Sequence, residues 1–167
     1  MRVLGIDCGG QYTGYGIVEE TAQGKLRAVC FGAVRLKTRE TLEARLLSIF
    51  RELQAKIDEH TPDIVAIEDV FYGPNPKSML KLGEVRGVAM LAASSCGLKV
   101  AEYAPRAIKS AVVGYGAAEK SQVQHMVKLL LGLPDPPEPV DAADALAIAI
   151  CHIHTSATLR RQATAQS

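Results

Sequence analysis

From residue 140 the chain reads VDAADALAIAI: two aspartates three residues apart, with alanine between them and only alanine, leucine and isoleucine after them. A run this apolar is a buried helix, so Asp141 and Asp144 are held by the core rather than by a loop. Residues three apart on a helix share a face, and both carboxylates project the same way from the first turn. The helix N-terminus favours negative charge there by roughly 0.3–1 kcal/mol per exposed group. Alanines 142, 143 and 145 leave room for the helix to lie close against a sheet. A helix cap would account for Asp141 by itself, but one cap does not need two aspartates.

Two further acids end apolar runs. RVLGID reads as a short buried strand ending at Asp7, and Gly9 and Gly10 supply the permissive backbone of a tight turn. TGYGIVEE and KLRAVCFGAVRL follow as second and third strands of an antiparallel meander. Leu42, Leu46, Ile49, Phe50, Leu53 and Ile57 form one helical stripe, which Pro62 breaks. DIVAIED is a continuous apolar run suited to a central strand covered on both faces, and it ends at Glu68. After the loop VFYGPNPKS, the segment from Met79 to Ser94 reads as a helix whose apolar residues wrap most of the way round. Such a helix needs cover on two sides, the sheet on one and a second subunit on the other, which predicts a homodimer. LKVAEYA is a fifth strand, PRAIKSAVV opens a helix at Pro105, and AAEKSQVQHMVKLLL is an amphipathic helix ending at Gly132. PDPPEP is a rigid connector; the last helix is expected from Asp141 to His154, with a polar, disordered tail over 155–167. The pattern predicts one α/β domain, residues 1–154, with a mixed five-stranded sheet flanked by helices.

No run of eighteen uninterrupted apolar residues occurs, and the N-terminus does not read as a signal peptide, so a cytoplasmic protein without a membrane partner is expected. Cys8, Cys30, Cys96 and Cys151 have no C-x-x-C spacing, which argues against a zinc site or disulfide frame. His152 and His154 point about 200° apart on a helix and cannot share one ion. The net charge is only +1, yet Lys77 to Lys128 holds eight basic residues against three acidic ones, which makes a polyanion a plausible partner.

In an open sheet with parallel strands, ligands sit at the carboxyl edge, where Asp7 and Glu68 lie. If Asp141 and Asp144 join them, four like charges must take up protons or bind cations. Two Mg2+ ions about 3.5–4 Å apart suit an all-oxygen site and in-line attack on a phosphodiester. A basic segment beside such a site points to a nuclease.

Taken together, GIDCGGQYTGYG, AIEDVF, LKLGEVRGVA, VVGYGAAEKSQVQHMV and DAADALAIAI resemble the RuvC family of bacterial Holliday junction resolvases, over residues 2 to 154. The resemblance implies a ribonuclease H-like fold and a homodimer that makes paired symmetric nicks in four-way DNA junctions. It further implies two Mg2+ ions per site, with Mn2+ able to substitute, and partnership with the RuvA–RuvB branch-migration complex. Asp7, Glu68, Asp141 and Asp144 match the family's catalytic, metal-binding carboxylates, although some relatives carry a histidine-led variant at the position of Asp141. Lys109 and Lys120 match basic residues linked to DNA contact and catalysis, and Phe71 matches an aromatic that stacks on a junction base. Lys77, Lys81 and Arg86 complete the expected DNA-binding set. Cys8 stands where the family commonly has proline, and Gln11 where it often has a basic residue.

Other readings stay open on the residues. A YqgF-type relative acting on structured RNA shares the fold, although its chains are shorter and lack the EKSQVQ and DAADAL segments. An ATPase of the actin and sugar-kinase superfamily also uses GIDxG followed by Thr-Gly, but needs two such domains. A non-catalytic DNA-binding module is the third alternative.

Overall fold

The computed structural model describes residues 1–37, 39–69 and 75–165, the last without its side chain. The first three strands, β1 (Arg2–Cys8), β2 (Tyr12–Glu20) and β3 (Leu26–Arg35), form the expected antiparallel meander. Helix α1 (Leu42–His60) then leads to β4 (Ile64–Glu68), which pairs parallel to β1. Helix α2 (Pro76–Ser95) leads to β5 (Val100–Tyr103), parallel to β4, and α3 (Pro105–Val113), α4 (Lys120–Leu131) and α5 (Val140–Ala165) follow. The strand order is β3-β2-β1-β4-β5.

Strand alternation divides the side chains between two cores. Leu4, Ile6, Ile17, Val65 and Ile67 face α1 and α2, packing with Ile49, Leu53, Val85 and Ala89. Val3, Val18 and Ala66 face the opposite layer of α3, α4 and α5, with Ile108, Val123, Val127 and Leu146. The same alternation puts Asp7 and Glu68 on the α5 face, and Cys8 and Asp69 on the α2 face.

At Gly5 and Gly14 helix α5 lies against the strands main chain to main chain. A Cβ added to Gly5 would stand 2.0 Å from the Ala145 carbonyl oxygen, and one added to Gly14 would stand 2.0 Å from that of Asp141. The small residues on both elements are what permit this contact. The helix is long and apolar enough to span a membrane, but 61% of its apolar window is buried inside the fold, as befits a core helix.

Two helix ends differ from expectation. Helix α2 begins at Pro76 rather than Met79, because the Asn75 side chain accepts hydrogen bonds from the backbone of Lys77 and Ser78 and Pro76 suits the first helical position. Helix α5 continues through Ala165 instead of stopping at His154 before a disordered tail. No proline or glycine interrupts residues 155–165, and Arg160 pairs with Glu20 at 2.9 Å. The ribonuclease H-like architecture is otherwise as expected.

Candidate active site

Three acids reach one place by three routes. Asp7 is the penultimate residue of β1 and Glu68 ends the adjacent parallel β4, so the sheet sets them side by side at its carboxyl edge. Asp144 stands in the first turns of α5, one turn beyond Asp141, whose carbonyl rests on Gly14, the cross-strand partner of Asp7. Asp7, Glu68 and Asp144 line a cavity of about 260 Å³ together with Lys109 and Lys120. Its dry wall is Pro105, Ile108, Val123, Ala147 and Ile148. These wall residues escape a search for chemical side chains; Ala147 and Ile148 could have been picked as the positions a helical turn beyond Asp144.

The electrostatics follow from this crowding. Burial, then the charges of Asp144, Glu68 and Asp141, push the Asp7 carboxyl up to about 7, against a smaller opposing pull from Lys120. Burial and the charge of Asp144 also raise Glu68, and burial raises Asp144 despite its bond to Lys120. The Lys120 Nζ lies 2.5 Å from Asp144 Oδ2. Burial opposes the charge on that ammonium, but the hydrogen bond to Asp144 and the nearby carboxylates hold it above its ordinary value. A capping box places Lys120: the Glu119 backbone N–H donates to Gln122 Oε1 at 2.9 Å at the start of α4.

Asp141 does not line the cavity, although its charge is felt at Asp7, Asp144 and Lys120. It sits inside the first turn of α5, since the helix starts at Val140. Among the described residues, no three acidic, histidine or cysteine side chains stand close enough to form a ready-made metal site.

The remaining expected DNA-contact residues lie apart from this cavity. Lys77 and Lys81 are exposed on the first turns of α2. Arg86 belongs to the other face of the sheet, where its guanidinium pairs with Glu102 and lies 3.6 Å from Asp69. It braces α2 against β5 and the end of β4, on the face of the sheet opposite the carboxylate cavity. Phe71 lies outside the described residues.

The model of the family described as crossover junction endodeoxyribonuclease RuvC matches residues 3–152. The chain belongs to the RuvC family. Among curated RuvC proteins, that of Koribacter versatilis is 66% identical over 161 residues, covering 96% of this chain and 97% of the relative. The RuvC of Acidobacterium capsulatum is 56% identical, covering 97% and 98%. Thermus thermophilus RuvC superposes with a TM-score of 0.87 at 32% identity, over 95% of this chain and 96% of that one. A structure of the same RuvC in complex with Holliday junction substrate gives the same TM-score at 30% identity and the same coverage. As a RuvC-family member, the chain is a crossover junction endodeoxyribonuclease with the ribonuclease H-like fold of its relatives.

Proposed function

We propose that this chain cuts four-way DNA junctions by hydrolysing phosphodiester bonds in the cavity of Asp7, Glu68 and Asp144. The observation that carries this reading is the meeting of three carboxylates from distant parts of the sequence beside two lysines. The donor set fits a hard divalent cation: every donor is oxygen, and burial, together with the charges of Asp144, Glu68 and Asp141, holds the Asp7 proton until about pH 7. Asp7, Glu68 and Asp144 would hold Mg2+, or Mn2+ in its place, with Asp141 adding charge from behind. Bound there as a pair, such ions would supply an activated water and offset charge on the leaving oxygen.

The chain's own residues do the rest. Lys109 offers a point charge to a backbone phosphate at the cavity mouth. Lys120 balances Asp144 and can turn to a phosphate as the junction arrives. Ile108, Val123, Ala147 and Ile148 exclude water on one side, which strengthens every charge interaction inside. Phe71, Lys77 and Lys81 are assigned to the DNA surface on their sequence positions.

A homodimer is part of the proposal. Leu80 and Leu91 are 66% and 59% exposed on one side of α2, and Gly83 and Gly87 between them have open space above them. An apolar stripe of this kind is suited to a second copy. Pairing of two sites would make two symmetric nicks, in a cytoplasmic protein that works beside the RuvA–RuvB complex.

The test is to incubate the protein with synthetic four-way and linear DNA, in Mg2+ and in a chelator. Paired nicks confined to the junction and dependent on Mg2+ are expected. Asp7→Asn should bind the junction and fail to cut it; cutting by this variant would overturn the assignment.

A further inference from the structure

A second cavity, of about 630 Å³, opens at the same sheet edge and is lined by Gln11, Tyr12, Arg35, Leu36, Lys37 and Arg39, with Glu40 at its rim. We propose that this groove holds backbone phosphates of the bound DNA, two to four nucleotides from the bond being cut. The proposal rests on the nuclease reading above and extends the DNA path across the meander half of the sheet.

The placement follows from register. Asp7 pairs with Gly14, which pairs with Ala33; one pleat nearer the edge, Tyr12 pairs with Arg35. Alternation therefore puts Tyr12 and Arg35 on the same face as Asp7. Strands roughly 4.8 Å apart and residues roughly 3.4 Å along each strand set Arg35 about 12 Å from Asp7, Cα to Cα. Stacked nucleotides rise about 3.4 Å each, so a strand leaving the carboxylates toward β3 reaches the groove within two to four steps. The Leu36 backbone N–H donates to the Gln11 carbonyl at 2.9 Å, which ties the turn after β1 to the end of β3 and fixes the floor.

The charge also suits a polyanion. Lys37 is bound to Glu40 at 3.2 Å, while Arg35 and Arg39 are exposed and have no acidic partner among the described residues. Two unengaged guanidiniums beside a half-buried tyrosine combine phosphate forks with a ring for a sugar or base. Gln11 contributes no charge here; Arg35 and Arg39 supply it from the far side of the groove.

The test uses the whole protein and a synthetic junction, with binding followed by fluorescence anisotropy from low to high NaCl. Both arginines are exposed, so R35A/R39A should keep the wild-type melting temperature. It should lower the slope of log K against log salt by about 1–2 and weaken binding about 10-fold at moderate salt, at about 0.9 in slope per phosphate contact. Q11K should steepen the slope by about 1. Uncharged methylphosphonate linkages placed two to four nucleotides from the cut should weaken the wild type but not R35A/R39A further. An unchanged slope in R35A/R39A, or an equal methylphosphonate loss in both proteins, overturns the groove while leaving the nuclease reading intact. A wild type that does not prefer junctions to linear duplex overturns the nuclease reading and the groove with it.

Discussion

Replacing Asp7 by asparagine should make the metal-free protein more stable as well as inactive. Burial and the neighbouring carboxylates push the Asp7 carboxyl up to about 7 from its ordinary 3.8, while an unfolded chain has nothing to raise it. Between about pH 4 and pH 7 the folded state therefore holds a proton that the unfolded state has lost, and stability falls as pH rises through that window. Above it, the ionised carboxylate costs the fold up to about 4 kcal/mol, at about 1.36 kcal/mol per tenfold displacement of the equilibrium. Glu68 and Asp144 share the repulsion, so a gain of about 2–4 kcal/mol is the working figure for Asp7→Asn at pH 8. For a chain of this size that is about 5–15 °C in melting temperature. Thermal melts of both proteins in chelator at pH 4 and pH 8 measure it: the gain should be near zero at the lower pH and largest at the higher. Adding Mg2+ at pH 8 should stabilise the wild type and shrink the difference. A variant no more stable than the wild type at pH 8, or a gain that does not depend on pH, would refute the account by burial and charge crowding.

Ca2+ should support junction binding but little cleavage, because its looser coordination does not hold the site as Mg2+ does; gel assays with each ion compare the two. Lys120→Gln removes the cation that pulls Asp7, Glu68 and Asp144 down. Its pH profile for cleavage should move to higher pH, and an acid shift would contradict the role given to Lys120. Gly5→Ala drives a methyl into the Ala145 carbonyl and should cost more than about 4 kcal/mol in chemical denaturation, since the obstacle is main chain. Arg86→Ala should lower stability by about 1–2 kcal/mol through loss of its carboxylate partners, and leave the salt slope of junction binding unaltered.

Where the chain obeys one period, the fold could be read from it. The stripe from Leu42 to Ile57 and the apolar runs ending at Asp7 and Glu68 map directly onto α1, β1 and β4. The acids were legible because each one stands at the end or the start of a strongly apolar run. Helix ends were less so: at Asn75 the decisive interaction is a cap inside a proline-rich loop, and beyond His154 the helix persists simply because nothing stops it. Counting charge between Lys77 and Lys128 could not reveal that Arg86 faces Glu102 across the other side of the sheet, since that depends on which pleat each strand presents. The groove at Arg35 escaped for a related reason: its parts come from two strands and a loop, and only their register joins them.

The bare contact of α5 on Gly5 and Gly14 means that the gap between helix-borne and strand-borne carboxylates is gauged by peptide groups, not by the girth of side chains. Substitutions deeper in either core can then accumulate without loosening the spacing on which metal chemistry depends. The site carries its own ruler, and that ruler is the main chain.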